Sequence, residues 1–251
     1  MSEFSKSFTK IAQFYDELMS NVSYKEWVDY AVSFLNIFNI KKEKFLDLAC
    51  GTIIPTIYLS EYCEKIVGVD KSIEMLKVAK RKIEKLNSKK ISLVLSDIRE
   101  FHFKWKFDAI FCFFDSMNYL LNIDDLYKSF YCAYQNLKSR GIFLFDMNSI
   151  FALKELWDTR KDIKIHKNFI SIWENEWIEE EKISKLVITI EWKENGKERY
   201  VREVHFEKAY HIDEVVDTLK KAGFEEVNVY EHLKYSLPNS YTTRIQYVAL
   251  K

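Results

Sequence analysis

The chain has 251 residues, 48% of them apolar and 16% aromatic, which suits one large domain or a domain carrying an insertion. Lys+Arg and Asp+Glu both number 38 and interleave along the chain, arguing against binding of nucleic acid or anionic membrane by net charge, and no apolar run approaches the ~18 residues of a spanning helix. The start, Met1-Ser2-Glu3-Phe4-Ser5-Lys6, lacks a leader's basic-then-apolar pattern, and Cys50, Cys63, Cys112 and Cys132 form no C-x-x-C pair, so the expectation is reduced thiols, a cytoplasmic location and no metal.

The leading segment reads as helical, with Trp27, Ala31, Phe34 or Leu35, and Phe38 at helical spacing. Phe45 to Ala49 is a short apolar strand ending at Gly51, and residues 55–62 suit a helix with Pro55 in its first turn. Lys65 to Val69 is a second strand closed by Asp70. Ser72 can cap a helix that places Leu76, Ala79, Ile83 and Leu86 on one face. Ile91 to Leu95 and Phe107 to Phe113 are the third and fourth strands. Asp124 and Asp125 open a helix carrying Leu126, Phe130, Ala133 and Leu137, and Gly141 leads into the fifth strand, Ile142 to Phe145. Wholly apolar strands separated by amphipathic helices predict an α/β, doubly wound, Rossmann-like domain whose parallel sheet is covered on both faces.

The pattern changes after about Ser149. Phe169–Trp177, Ile183–Trp192 and Glu198–Phe206 read as antiparallel strands, the last two joined around Asn195-Gly196, a strong hairpin signal. Val215, Leu219 and Ala222 then make a helix stopped by Gly223, followed by strands near 225–233 and 242–250. The expected organisation is a core of residues 1–149 and 209–251 with a small antiparallel β insert, 150–208, placed to roof a substrate.

In an open parallel sheet, ligands bind beyond the carboxyl ends of the strands, where this chain puts Asp47, Asp70, Asp97, Asp115 and Asp146. Any one of them could be a turn or cap residue; five together favour a site. Asp70 lies 19 residues after Gly51, a distance suited to hydrogen-bonding ribose hydroxyls. A dinucleotide fold wants G-x-G-x-x-G, whereas Asp47-Leu48-Ala49-Cys50-Gly51-Thr52-Ile53 has one glycine and opens with an acid, which repels a pyrophosphate but suits a ligand with a cationic end.

Asp47-Leu48-Ala49-Cys50-Gly51-Thr52 resembles motif I of the class I S-adenosylmethionine-dependent methyltransferases. Val69-Asp70-Lys71-Ser72-Ile73-Glu74-Met75-Leu76 resembles their acidic second-strand loop, Ser96-Asp97-Ile98-Arg99 their adenine loop, Phe107-Asp108-Ala109-Ile110 their fourth strand and Leu137-Lys138-Ser139-Arg140-Gly141-Ile142-Phe143 their turn into strand five. Tyr15-Asp16, Phe114-Asp115-Ser116-Met117-Asn118-Tyr119-Leu120, Phe145-Asp146-Met147-Asn148 and Arg244-Ile245 extend the resemblance to a small-molecule branch, sugar N-methyltransferase-like, with an antiparallel insert. It covers nearly the whole chain and implies a seven-stranded sheet with its last strand antiparallel.

The resemblance implies S-adenosylmethionine as cofactor, with S-adenosylhomocysteine as product. Ala49 and Gly51 would let the backbone approach its methionine part near Asp47. Asp70 would accept both ribose hydroxyls, with Lys71 and Met75 beside it, and Asp97 and the Ile98 N–H would meet the adenine. Phe113 and Phe114 would lie at the methionine end, with Tyr15 and Trp27 closing over the site. Asp115, Asn118, Tyr119, Asn148 and Arg244 would hold a small-molecule substrate, methylated on nitrogen or oxygen. A general base is not required for direct displacement of a sulfonium; Glu203 and His205, on one face of the last insert strand, are weak candidates for it. The family usually has glycine where this chain has Ile53, and a β-branched residue resists φ > 0. Residue 53 is therefore expected at φ < 0 with its side chain in helix packing; a strained loop with weakened cofactor binding is the alternative. A tRNA or protein methyltransferase and a non-catalytic module stay open as other functions. No nucleic acid or membrane partner is expected, and the chain is read as a monomer or homodimer.

Overall fold

The computed structural model describes residues 7–251; Met1 to Lys6, with the expectation about a leader, lie outside it. Five strands, β1 (Lys44–Leu48), β2 (Lys65–Asp70), β3 (Ile91–Leu95), β4 (Phe107–Cys112) and β5 (Leu137–Asn148), run parallel. With β10 (Glu226–Glu231) and β11 (Arg244–Leu250) they form a seven-stranded sheet in the order β10-β11-β5-β4-β1-β2-β3, and β11 is antiparallel to both its neighbours. The doubly wound α/β fold is therefore as the sequence indicates.

Alternation along the strands explains the two covered faces. Leu46, Leu48, Ile110, Cys112, Phe143 and Phe145 pack with helices α5 (Ile123–Asn136) and α6 (Ile212–Ala222). Their sequence neighbours Phe45, Ala109, Phe111, Ile142 and Leu144 pack with α2 (Tyr24–Ile37) and α3 (Ile54–Leu59). Ser72 caps α4 (Ile73–Leu86) by accepting the Met75 N–H at 3.2 Å, and Gly223 ends α6 at φ 115°. Asn122, rather than the acids after it, caps α5.

The insert is a second antiparallel sheet in the order β6-β7-β8-β9: β6 (Lys161–Ile165), β7 (Phe169–Ile178), β8 (Ile183–Glu194) and β9 (Lys197–Lys208). Asn195 and Gly196 both sit at positive φ (51° and 75°), the twist a two-residue hairpin needs. Strand β6 and the π-type turn Phe151–Leu156 escape the sequence reading. The buried face of this sheet is too small to close on itself: Phe169, Ile188, Ile190 and Val201 share their cluster with Ile11 and Leu18 from the start of the chain. Among the described residues no helix is long and apolar enough to cross a membrane.

Candidate active site

The carboxyl ends of β1, β2 and β4 open onto a cavity of about 340 Å³ whose walls include Asp47, Ala49, Gly51, Asp70, Lys71, Met75, Asp97, Ile98, Phe113, Phe114 and Tyr15, all singled out from the sequence. Its floor is the loop after β1. Three alternate residues there are left-handed: Ala49 at φ 53°, Gly51 at 53° and Ile53 at 66°. The expectation of φ < 0 at Ile53 is thus wrong. The loop keeps the shape that glycines would give it, and Ile53 bears the strain. Tertiary packing is the reason: its side chain is fully buried against Cys50, Leu76, Ala79 and Ile57, and burying such a side chain is worth roughly 1.5–3 kcal/mol, comparable to the ~1–3 kcal/mol of a strained backbone.

Asp70 ties this loop to the next. Its carboxylate accepts the Gly51 N–H at 2.8 Å and the Ser72 N–H at 2.7 Å, while burial raises its pKa. Asp47 is 1% exposed and accepts the Thr56 hydroxyl at 2.5 Å; burial pushes its carboxyl up to about 7, and the charge of Asp70 adds to the rise. Asp97 reaches the cavity wall already paired with Arg99 at 2.8 Å, which holds it below the usual carboxylate range. Arg99 also binds Asp125 at 2.7 Å, so it rivets the third-strand loop to α5.

One aromatic assignment changes and one aromatic joins the site. Trp27 does not line the cavity: it stacks on Phe114 from behind, with centroids 4.3 Å apart at 11°, and carries the Arg244 guanidinium over its ring. Its helical spacing with Ala31 and Phe34 is a packing signal. Tyr24, three residues earlier and unremarked in the sequence, does line the cavity, and its buried hydroxyl has no hydrogen-bond partner. Phe114 and Asp115 are both left-handed (φ 59° and 48°) because the Asp146 carboxylate accepts both of their N–H groups, at 2.9 and 3.0 Å.

Behind the Tyr119 wall lies a buried polar layer. Arg244 pairs with Asp115 at 2.7 Å and with Asp146. Asn118 donates to the carbonyls of Asn148 and Lys208, and Asn148 donates to Glu207 at 2.7 Å. The structure thus brings Asp115, Asn118, Tyr119, Asn148 and Arg244 together, although only Tyr119 among them lines the cavity. Glu207, missed in the sequence, is pushed up to about 8 by burial and by the charge of Asp115. Of the two base candidates, His205 meets the Tyr119 hydroxyl at 3.2 Å behind the wall, and neither it nor Glu203 lines the cavity. Glu203 is instead consumed by the backbone of residues 8–11.

Residues 45–141 match a family model described as a methyltransferase domain. A curated protein from Bacillus subtilis (strain 168) named "Putative methyltransferase YqeM" is 30% identical over 243 residues, covering 96% of this chain and 95% of that one. The crystal structure of an S-adenosylmethionine-dependent methyltransferase from Clostridium acetobutylicum ATCC 824 is similar, with a TM-score of 0.87, 29% identity and coverage of 96% and 97%. The sugar N-methyltransferase KedS8 from Streptoalloteichus sp ATCC 53650 shares the fold at a TM-score of 0.83, with 15% identity and coverage of 100% and 96%.

Proposed function

This chain belongs to the S-adenosylmethionine-dependent methyltransferases, and from that premise we propose that it methylates a nitrogen or oxygen of a small molecule. The residues present fit the cofactor. A Cβ built at Gly51 meets no atom within 4 Å, so the backbone faces open cavity there, and the orphaned Tyr24 hydroxyl offers a donor. When bound, the cofactor supplies a sulfonium-activated methyl group. Asp70 would accept the ribose hydroxyls, Asp97 and the Ile98 N–H would hold the adenine, and Asp47 would hold the cationic methionine end. The wall formed by Phe113, Phe114 and Tyr15 would limit the access of water to a bound cofactor, and alignment rather than acid–base chemistry carries most of the rate.

Asp47 makes this assignment testable by pH. A cationic partner needs its carboxylate, so binding expels a proton wherever free Asp47 is protonated, below about pH 7. Affinity for S-adenosylhomocysteine is expected to hold above pH 7 and to fall by up to about tenfold per unit below it. Calorimetry at pH 8, 7, 6 and 5.5 checks this; a flat profile removes Asp47 from the site.

The observation that favours nitrogen is the cluster of carboxyl groups behind Tyr119. The buried Asp146 and Glu207 and the part-buried Asp115 gather around one cation, Arg244. An ammonium substrate held at the Tyr119 wall would be favoured by these carboxyls, Glu207 ionising as it binds, and would give up a proton before its nitrogen attacks the methyl group, whereas an alcohol gains nothing from them. Strand β9 approaches this layer through His205, Glu207 and Lys208, which supports the insert as a roof on the acceptor side. Labelled cofactor offered with amines, sugar nucleotides and tRNA should transfer label to an amine, and Glu207→Gln should slow that transfer several-fold. Label in tRNA alone would instead support a nucleic-acid methyltransferase.

A further inference from the structure

The start of the chain is held by three separate elements. Asp16 accepts the Thr52 hydroxyl at 2.5 Å and pairs with Lys82 at 2.5 Å, which fixes it to the motif loop and to α4. The Phe8 carbonyl accepts the Ser72 hydroxyl at 2.5 Å, next to the two loops that Asp70 joins. The third anchor comes from the insert. Glu203, fully buried on β9, accepts N–H groups from Phe8 (2.7 Å), Thr9 (3.0 Å), Lys10 (2.6 Å) and Ile11 (3.2 Å), and the Thr9 hydroxyl at 3.1 Å. Lys10–Gln13 is a short 3-10 helix whose N-cap side chain makes no cap hydrogen bond, and Glu203 supplies an acceptor to its first N–H groups. Phe8 and Tyr15, at either end of this stretch, line the cofactor cavity.

We infer that Glu203 is a positioning residue: by fastening residues 7–19 from the insert side, it sets how fast the cofactor leaves the cavity. The inference rests on the cofactor occupying the cavity described above, and goes beyond that reading in giving the second sheet a part in cofactor retention. An ionised carboxylate suits this work because hydrogen bonds to a charged acceptor are roughly twice as strong as neutral ones. Burial opposes that ionisation, yet His205 beside Glu203, at 3.5 Å, and the Ile11 and Phe8 N–H groups hold its carboxyl below the usual glutamate range. A neutral amide at 203 keeps the shape of the contact and loses the charge.

The test compares the parent with Glu203→Gln, Glu203→Asp and Asp16→Asn. S-adenosylhomocysteine dissociation is followed by stopped flow, and hydrogen exchange is measured at the amides of residues 8–11. Glu203→Gln should accelerate dissociation about tenfold, the loss expected when one charge-assisted contact set is replaced by neutral bonds, and should speed exchange at residues 8–11 while β7 and β8 stay protected. Glu203→Asp, which keeps the charge with a shorter reach, should accelerate dissociation less than Glu203→Gln, and it keeps the inference testable if Glu203→Gln does not fold; Asp16→Asn, which leaves the insert untouched, should also accelerate dissociation. Unchanged dissociation in Glu203→Gln with faster exchange at 8–11 would overturn the inference, as would unchanged exchange. A parent that binds no S-adenosylhomocysteine overturns the cofactor assignment instead, and the exchange arm still tests the latch.

Discussion

Asp70→Ala is expected to weaken S-adenosylhomocysteine binding by about a hundredfold while changing the melting temperature of the free protein little. The carboxylate has two jobs. It presents acceptors to the ribose, and through the Gly51 and Ser72 N–H groups it holds the first two loops of the site at their spacing. Hydrogen bonds to a charged group are worth about 1.5–3 kcal/mol, and the loss of a fixed loop geometry adds to that of the direct contacts. Stability responds differently. Two N–H groups lose their acceptor, but a carboxylate whose burial raises its pKa is also removed, and the two effects oppose each other. Asp70→Asn keeps one oxygen for the loops and should fall between parent and alanine variant. Calorimetry with parallel thermal melts checks this; parent-like binding by Asp70→Ala would place the ribose elsewhere.

The sheet was legible because its strands are short, largely apolar and punctuated by the few glycines, leaving one reading for β1, β2 and β4; β5 was legible only from Ile142, for it begins at Leu137, whose helical spacing with Phe130 and Ala133 reads as the end of α5. Strand β6 was not, since Lys161-Asp162-Ile163-Lys164-Ile165 lies at an edge with Ile163 and Ile165 exposed, and an edge strand needs no buried apolar alternation. Glu207 was within reach. On β9 the buried positions are Val201, Glu203, His205 and Glu207, so the alternation that pairs Glu203 with His205 extends one step further to an acid in the acceptor layer. What no local pattern carried was the partner of Glu203. Its ligands are backbone groups some 190 residues away in sequence, and a main-chain N–H has no sequence signature. Ile53 failed for the opposite reason: local preference spoke clearly and was outweighed by the packing of its side chain.

Ile53→Gly and Gly51→Ala should therefore separate stability from binding. The loop already has the left-handed form at residue 53, so glycine relieves strain of ~1–3 kcal/mol without offering the cofactor a new surface. Against that relief stand the loss of a fully buried Ile side chain, with the cavity it leaves, at roughly 2–5 kcal/mol, and about 1 kcal/mol of added chain entropy. The net is a destabilisation of about 2–3 kcal/mol, seen as a lower melting temperature, with cofactor affinity nearly unchanged. Gly51→Ala reverses the pattern. Its φ of 53° is the one Ala49 already adopts, and its new methyl group meets no protein atom within 4 Å, so the fold loses only the ~1 kcal/mol of an alanine held left-handed. That methyl group instead occupies cavity space beside the methionine part of the ligand, and affinity should drop by about tenfold or more, as when a close backbone approach is blocked. Titrating both variants with S-adenosylhomocysteine and melting them side by side decides the matter. If Ile53→Gly lost the ligand while Gly51→Ala kept it, residue 53 rather than residue 51 would face the cofactor, and the assignment of the loop would have to shift by one turn position.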